Sequence, residues 1–188
     1  LNIKTIITPI AFWGNGYAER DDPTPGFSRY LGGGELTSND TAIRAQENYM
    51  KQLLAHVNPY TKKKYKDDRF IIGLEINNEP HHSGSLQQAR DYISRMVRSV
   101  KQAGWQKPVF YNISESPKYA KAVAESDIQG VSFQWYPTGL VANHTLEGNF
   151  LPNVDEYAIP FDTIAAFKYK ARIVYEFDAA DILAPVMY

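Results

Sequence analysis

The sequence predicts an α/β fold built around a parallel β-sheet. Five apolar runs rich in β-branched residues alternate with segments whose apolar residues recur at helical spacing. This alternation is typical of strand–helix–strand units, in which the strands run parallel. One run, "RFIIGLEIN", is apolar nearly throughout, as in a strand that is covered on both faces. Two architectures remain open at this point, an open doubly wound sheet and part of a (β/α)8 barrel.

The first half of the chain holds two predicted strands and one helix. The run "IKTIITPIAFW" opens as a strand, and a polar loop rich in Gly and Pro follows it to about Asn39. The segment "SNDTAIRAQENYMKQLLAHV" then places its apolar residues close to one helical face. We expect Ser38, Asn39 or Asp40 to cap the start of this helix, and Asn58-Pro59 to end it. "RFIIGLEIN" is the second strand.

The second half repeats the pattern with three further strands. A helix over "SLQQARDYISRMVRSVKQAG" should stop at Gly104, and "PVFYN" is the third strand. A short helix with Pro117 near its first turn precedes the fourth strand, "GVSFQWY". A second long loop, from Pro137 to about Ile159, leads to a helix around Asp162 to Tyr169 and to the fifth strand, "ARIVYEF".

Composition excludes several classes of function. Lys and Arg number 20 and Asp and Glu 21, so there is no electrostatic reason to expect nucleic acid or an anionic membrane as a partner. No apolar run approaches the ~20 residues that span a bilayer. The chain has no Cys, which excludes disulfides and thiolate metal sites. No glycine-rich phosphate loop follows any predicted strand.

Polar residues gather where the predicted strands end. In parallel α/β folds the active site lies at the carboxyl ends of the strands. Two glutamates, Glu79 and Glu176, stand just past long apolar runs. Amide, phenol and indole side chains accompany them at the ends of the first, second and fourth strands: Trp13, Asn78, Gln134, Trp135 and Tyr136. A pair of carboxylates among such neighbours is the equipment of a glycosidase.

Cleavage of an acetal with retention explains why these residue types occur together. One carboxylate acts as the nucleophile, and a second carboxyl group protonates the leaving oxygen and later deprotonates water. The anionic nucleophile keeps the pKa of the acid high, and this pKa falls once the nucleophile carries a sugar. Amide and phenol groups fix the carboxylates and contact sugar hydroxyls, while indole faces stack on sugar rings.

The required distance between the carboxyl groups decides between the two architectures. Glu79 and Glu176 end strands that are three apart, or ~14 Å in an open sheet at ~4.8 Å per strand. Retention needs carboxyl groups ~5–5.5 Å apart. A closed barrel turns both strand ends toward one axis, so we predict a (β/α)8 TIM barrel of which this chain holds about five β/α units. We expect residues 1–188 to form a single catalytic-barrel domain that is incomplete at both ends.

Three short motifs resemble a known group of enzymes. "INNEP" and "IVYEF" resemble the strand 4 and strand 7 segments of clan A retaining glycoside hydrolases, family 5 in particular, and "FQWYP" resembles their strand 6 segment. The resemblance covers strands 3 to 7 of that barrel. It implies that Glu79 is the acid/base, Glu176 the nucleophile and Asn78 a contact of the sugar 2-hydroxyl. It also implies that Tyr136 hydrogen-bonds the nucleophile. Gln134 stands where that family usually has His.

Other residues near these motifs have competing interpretations. Trp13, Gln134, Trp135 and His81 are candidate substrate contacts, although Trp13, Trp135 and Tyr136 could also be aromatics that pack in the core. His82 is expected to be a loop residue rather than a metal ligand. Glu75 shares the strand parity of Glu79 and is expected to face the barrel interior, paired with a base. Glu176 has an alternative role as a strand carboxylate paired with Arg172.

The predicted function is that of a retaining glycoside hydrolase that cleaves a β-linked glycan by double displacement. Its substrate is an oligosaccharide or polysaccharide, and we expect no metal, no organic cofactor and an extracellular or periplasmic location. A second hypothesis is a non-catalytic carbohydrate-binding barrel related to such enzymes. A third, an α/β enzyme with an open sheet, predicts that Glu79 and Glu176 lie far apart.

Overall fold

Five parallel strands and three α-helices make up the part of the chain that the structure describes. The computed structural model describes residues 2–11, 33–113, 117–136, 161 and 163–177. Its elements are β1 (Thr5–Ile7), α1 (Asp40–Ala55), β2 (Ile71–Glu75), α2 (Leu86–Gln102), β3 (Val109–Asn112), α3 (Ala120–Ala124), β4 (Gly130–Trp135) and β5 (Ala171–Phe177). Short 3₁₀ turns cover Gly33–Thr37, Tyr65–Asp67, Pro117–Tyr119 and Ala165–Tyr169. No helix in this part of the chain is long and apolar enough to cross a membrane.

The strands pair in chain order, β1-β2-β3-β4-β5, and each adjacent pair is parallel. In a doubly wound sheet the strand order reverses at a switch point. This sheet has no such reversal across its five strands, which is the winding of a β/α barrel. The predicted fold class is therefore confirmed: the described residues form a curled half-barrel of five parallel strands.

Contacts between distant strands demonstrate the curl. The hydroxyl of Tyr175 on β5 lies 3.0 Å from Oε1 of Glu75 on β2, although β3 and β4 lie between these strands. In a flat sheet, strands three apart are separated by ~14 Å and their side chains stand parallel to one another. Side chains of one face meet in this way only when that face is concave. The inner face of the half-barrel is the face that carries Glu75 and Tyr175.

The outer face is covered by helices and holds the hydrophobic core. Leu74, Val109, Tyr111 and Val131 point outward from β2, β3 and β4 and are fully buried. Helices α1 and α2 supply the opposing layer with the buried residues Met50, Leu54, Ile93, Met96, Val97 and Val100. Burial of each aliphatic side chain contributes about 1.5–3 kcal/mol to folding. This layer holds the strands in position while the inner face remains available for other chemistry.

Local signals set the helix ends much as the sequence predicts. Asn39 caps α1, because its Oδ1 accepts hydrogen bonds from the backbone N–H groups of Thr41 at 3.0 Å and Ala42 at 3.3 Å. Ser85 and Gln88 form a capping box at the start of α2. Gly104 ends α2 with a φ of 94°, a left-handed conformation that favours glycine. The helix predicted around residues 162–169 is only the 3₁₀ turn Ala165–Tyr169.

Phe110 fills the lower part of the inner face. A Cβ added to Gly73 would lie 3.0 Å from the Phe110 ring, and one added to Gly130 would overlap that ring. Position 130 therefore requires glycine and position 73 leaves little room for a side chain, because the aromatic ring lies directly over the backbone of the two neighbouring strands. The polar side chains of the inner face lie above Phe110, toward the carboxyl ends of the strands.

Candidate active site

The chain turns sharply where it leaves β2. The β2 ladder ends at Glu75, and the backbone N–H of Asn78 then donates to the Ile10 carbonyl oxygen at 2.7 Å. This bond keeps Asn78 beside the segment that follows β1. Glu79 has a φ of 47°, in the left-handed region that residues other than glycine rarely adopt. Such a conformation costs of the order of 1–3 kcal/mol, and residues that keep it cluster at functional sites.

Asn78, Gln134 and Tyr175 form a hydrogen-bonded cluster across three strands. The Gln134 Nε2 group donates to Oδ1 of Asn78 at 3.2 Å and to the Tyr175 hydroxyl at 3.2 Å. The Tyr175 hydroxyl also lies 3.3 Å from Oδ1 of Asn78. Because Oδ1 of Asn78 accepts on this side, its Nδ2 donor is free of the cluster. Asn78 can thus present an N–H donor to a sugar hydroxyl.

Asn112 on β3 fixes the orientation of Gln134. Its Nδ2 group donates to Oε1 of Gln134 at 2.8 Å and to Oγ of Ser132 at 3.2 Å. With its oxygen held by Asn112, Gln134 must direct its two N–H bonds toward Asn78 and Tyr175. Gln134 therefore makes a defined set of contacts. It occupies the position at which the family that "FQWYP" resembles usually has His.

A β-bulge in β5 determines where Glu176 points. Val174 pairs with Phe133, but Glu176 pairs with Gln134, so one extra residue, Tyr175, is inserted on β5. Aligned residues of parallel neighbours share a face, and Gln134 faces inward. The bulge thus directs both Tyr175 and Glu176 to the inner face. Arg172, the alternative partner, pairs with the outward-facing Val131 and lies on the opposite face.

The two candidate carboxylates flank one hydrogen-bonded pair. Glu79 follows Asn78 directly, Glu176 follows Tyr175 directly, and Asn78 and Tyr175 approach to 3.3 Å. Glu79 is half-buried and Glu176 is exposed. The pair joins the segment that follows β2 to β5, and these two strands are three apart in the sheet. The inner face therefore brings the backbone of both glutamates to the same end of the half-barrel.

Glu75 is a third carboxyl group, buried beneath this cluster. It is fully inaccessible, and hydroxyl groups surround it: those of Thr8 at 3.2 Å, Tyr175 at 3.0 Å and Ser132. Burial raises the pKa of Glu75 to about 7; the hydroxyl hydrogen bonds oppose this rise and the charge of Glu79 adds to it. The prediction of a basic partner is wrong within the described residues. Hydroxyls from β4, β5 and the end of β1 occupy the space.

We call this set of inward-facing polar side chains the inner network. It consists of Thr8, Glu75, Asn78, Asn112, Ser132, Gln134 and Tyr175. It contains one ionisable carboxyl group and reaches the carboxyl ends of the strands. An open cavity of about 390 Å³ adjoins it, lined by Lys4, Ile6, Thr8, Ile72, Ile173 and Tyr175.

A second set of buried polar groups, the outer network, lies between the sheet and the helices. The Tyr92 hydroxyl on α2 donates to Oε1 of Gln46 at 2.6 Å and accepts from Nδ2 of Asn77 at 2.8 Å. His82 lies close by, hydrogen-bonded to the Tyr111 hydroxyl at 2.9 Å. The rings of Tyr92, Tyr111 and Tyr119 surround His82 at centroid distances of 5.0–5.9 Å.

The outer network holds the segment that carries Glu79. Asn77 precedes the Asn78–Glu79 turn and His82 follows it, so both ends of the turn are attached to the core. Burial, with a contribution from His81, lowers the pKa of His82 to about 4, and the imidazole is therefore neutral near pH 7. His82 lies in a loop, as predicted, and its side chain is buried in the core.

The other predicted substrate contacts fall in different places. Trp13 lies outside the described residues. Trp135 is half-buried and packs against the hydrophobic core, which favours its interpretation as a core aromatic. Tyr136 follows β4 directly and is half-buried, and His81 is half-buried with its carbonyl oxygen accepting from Thr37 at 3.3 Å. Substrate roles for Trp135, Tyr136 and His81 stay predictions.

Tyr175 is the residue that the sequence reasoning missed. Strict alternation along "ARIVYEF" places Tyr175 and Glu176 on opposite faces, so a choice of Glu176 for the site excludes Tyr175. The bulge removes that exclusion. A Tyr immediately before a strand-end Glu was the one available signal. In the described residues no group of three or more His, Asp or Glu side chains could hold a metal ion.

Comparisons with solved structures find similarities of fold. No family model matches the chain, and no curated protein matches it. The solved structure of the endo-1,4-β-mannanase from Rhizomucor miehei is similar to 55% of this chain, with a TM-score of 0.47 and 22% sequence identity. The chain covers 36% of the mannanase chain, so the activity, substrates and partners of the whole protein are matters for proposal.

Proposed function

We propose that the protein is a retaining glycoside hydrolase that cleaves a β-linked glycan by double displacement. Glu79 is the acid/base and Glu176 the nucleophile. The observation that carries this proposal is the hydrogen-bonded Asn78–Tyr175 pair, which links the two residues that directly precede these glutamates. Strand ends that are three apart would otherwise leave their carboxyl groups too distant for one sugar.

The inner network supports distinct roles for its members in this reaction. Asn78, held through its Oδ1 by Gln134, is free to donate through Nδ2 to the sugar 2-hydroxyl. Hydrogen bonds to that hydroxyl strengthen as the transition state forms, which lowers the barrier. Glu176 lies next to Tyr175, whose hydroxyl is held from three other strands and gives the nucleophile a rigid neighbour.

The proposed chemistry divides between the two glutamates. Glu176 attacks the anomeric carbon and forms a glycosyl-enzyme ester while Glu79 protonates the leaving oxygen. Water then attacks the anomeric carbon from the face that the leaving group has vacated. Glu79 removes a proton from this water, and the ester to Glu176 is cleaved. Each step conserves charge and needs no redox partner. An extracellular or periplasmic location for such an enzyme, and an oligosaccharide or polysaccharide substrate, belong to the same proposal.

Substitution of the two glutamates tests the proposal. We expect Glu79→Gln and Glu176→Gln each to lower kcat/KM on a natural glycan by at least about 100-fold, because each removes an acid, base or nucleophile. Glu125→Gln is the matched control, since Glu125 is a helix-end glutamate whose weak ion pair with Lys121 is exposed. A panel of mannan, glucan, xylan and galactan identifies the sugar. Near-normal turnover in either glutamate variant would contradict the assignment.

An aryl glycoside separates the two roles. A phenol that is a good leaving group departs without protonation, so Glu79→Gln should recover the first step on this substrate while Glu176→Gln stays inactive. A 2-fluoro glycoside should label Glu176 covalently in the unmodified protein. Glycan binding without turnover or labelling would favour the non-catalytic carbohydrate-binding barrel instead.

A further inference from the structure

The hydroxyl of Tyr175 has one hydrogen and two acceptors. It lies 3.0 Å from Oε1 of Glu75 and 3.3 Å from Oδ1 of Asn78. It cannot donate to Gln134 Nε2, because that amide nitrogen carries hydrogens and donates toward the Tyr175 oxygen at 3.2 Å. The direction of one O–H bond therefore decides whether Asn78 accepts one hydrogen bond or two.

The charge of Glu75 selects between these directions. An ionised Glu75 attracts the O–H bond of Tyr175, as it does those of Thr8 and Ser132. With its hydrogen on Oε1, a protonated Glu75 donates to the Tyr175 oxygen at 3.0 Å and takes the place of the longer contact from Asn112 Nδ2 at 3.3 Å, so that oxygen still accepts only two hydrogen bonds. The Tyr175 hydrogen is then released toward Oδ1 of Asn78. Both arrangements use the same heavy-atom positions, so the switch needs no movement of the backbone.

We propose that Glu75 is a positioning residue whose proton directs the Tyr175 hydroxyl onto Asn78. With that proton in place, Oδ1 of Asn78 accepts from both Gln134 and Tyr175, which fixes the amide plane. Two donors on the oxygen also polarise the amide and strengthen its Nδ2 group as a donor. This inference rests on the proposed function only for its consequence, which is tighter contact between Asn78 and the sugar.

The surroundings of Glu75 favour the protonated form in the resting protein. Its three neighbours, just after β1 and on β4 and β5, are neutral hydroxyls, and it is fully buried. The other ionisable groups coupled to it by charge are Glu79 on its own segment, Tyr175 on β5 and Tyr111, which lies on the opposite side of the sheet; Glu176 acts on Tyr175, and Lys4 lies at the edge of the cavity. Burial raises the pKa of both tyrosines, so neither carries a charge near pH 7.

The side-chain amide of Asn78 reports the switch directly. We expect its ¹⁵N and ¹H resonances, identified by their loss in Asn78→Ser, to titrate with a midpoint near the Glu75 pKa of about 7. Glu75→Gln should abolish this titration because an amide does not ionise. Tyr175→Phe should abolish it as well, although Glu75 still titrates in that variant. An Asn78 signal that is flat in the unmodified protein, or that titrates unchanged in Tyr175→Phe, would overturn the proposal.

Two further variants exclude simpler explanations. Thr8→Val removes a hydroxyl that stabilises the carboxylate, so the midpoint should rise while the Asn78 titration persists. Glu79→Gln should leave the titration in place, which excludes Glu79 as its source. Infrared difference spectra between the unmodified protein and Glu75→Gln at about pH 5.5 should contain the carbonyl band of a protonated acid. Absence of that band would also overturn the proposal.

A glycan is needed only to measure the functional consequence, which is the strength of the contact between Asn78 and the sugar. In a Glu79→Gln/Glu176→Gln background, oligosaccharide affinity should fall about threefold to tenfold as pH rises through the Glu75 midpoint, the effect of one weakened hydrogen bond. The added substitution Glu75→Gln should remove that fall. An Asn78 titration without any glycan binding or hydrolysis would leave the Glu75 inference intact and reject the proposed function. Glycan hydrolysis without the Asn78 titration would support the proposed function and reject the Glu75 inference.

Discussion

The inner and outer networks lie on the two sides of the segment formed by residues 75–82, and they differ in charge. The outer network joins Asn77, Tyr92 and Gln46 through neutral groups, and its His82 is also neutral near pH 7. The inner network surrounds a carboxyl group whose raised pKa lies within the working range of most proteins. The outer network is closed over by helices, whereas the inner one reaches the strand ends.

This difference in charge assigns structural support to the outer network and chemistry to the inner network. Neutral buried hydrogen bonds fix geometry without responding to small changes in pH, which suits the attachment of the Asn78–Glu79 turn to the core. A buried carboxyl group without a cation is an expensive feature, and such perturbed groups cluster at functional sites. The two sides of β2 therefore provide matched pairs of substitutions that should separate effects on stability from effects on activity.

The largest expected effect is on the pH dependence of stability. The pKa of Glu75 is about 7 in the folded protein against 4.5 ordinarily, so the folded state binds its proton more tightly. Stability from this group is present below about pH 4.5 and is lost as pH rises through 7, by about 3 kcal/mol. Urea unfolding from about pH 4.5 to about pH 8 should show that loss relative to Glu75→Gln. Glu125→Gln, the surface control, should follow the unmodified protein; equal slopes in all three would contradict the raised pKa.

His82 should give an effect of similar size and opposite sign. Its pKa is about 4 in the folded protein against 6.5 ordinarily, so the unfolded chain binds the proton more tightly. Stability from this group is present above about pH 6.5 and is lost as pH falls through 4. His82→Phe should therefore flatten the acid side of the stability profile, whatever its effect at neutral pH. His56→Phe, at an exposed helix end, serves as the control and should keep the slope.

Tyr92→Phe tests the outer network without a titrating group. Removal of the hydroxyl leaves Asn77 Nδ2 and Gln46 Oε1 without this partner, and we expect a loss of about 1–3 kcal/mol in the free energy of unfolding. Glycan hydrolysis below the melting range should change little. A variant that is fully stable but inactive would show that the outer network takes part in the chemistry.

Tyr175→Phe is the matched change in the inner network. Tyr175 is partly exposed, so the free energy of unfolding should change by less than in Tyr92→Phe. We expect kcat/KM to fall about tenfold, since Asn78 and the neighbouring Glu176 lose a fixed partner. Circular dichroism melting curves and initial rates on the same preparations measure both quantities. A larger loss of stability than of activity would remove the distinction between the networks.

Local patterns predict most of the fold and part of the site. The five apolar runs and the helical spacing between them fix the order of the elements, and Asn39 and Gly104 act within a few residues of their own position. The parity of Glu75 correctly places it on the inner face. Period and capping are properties of short segments, which explains why these predictions succeed.

The hydrogen-bond partners could not be predicted in the same way. The hydroxyls around Glu75 come from residues 57, 67 and 100 positions away, and no local pattern records such separations. The bulge at Tyr175 is a change in register between two strands, so it is invisible in the alternation of either strand alone. The base expected beside Glu75 follows from the rule that buried charges are normally paired with an opposite charge. A protonated carboxyl group carries no charge, so it needs no such partner.

The chain-order pairing of the strands also bears on how the protein is made. Each strand pairs with the one synthesised just before it, so the sheet can grow stepwise as the chain leaves the ribosome. Glu75 is different, because its Tyr175 partner lies 100 residues further on. Until β5 is synthesised we expect Glu75 to remain hydrated and ionised. Uptake of its proton then accompanies the docking of β5, and would mark that step in a time-resolved folding experiment.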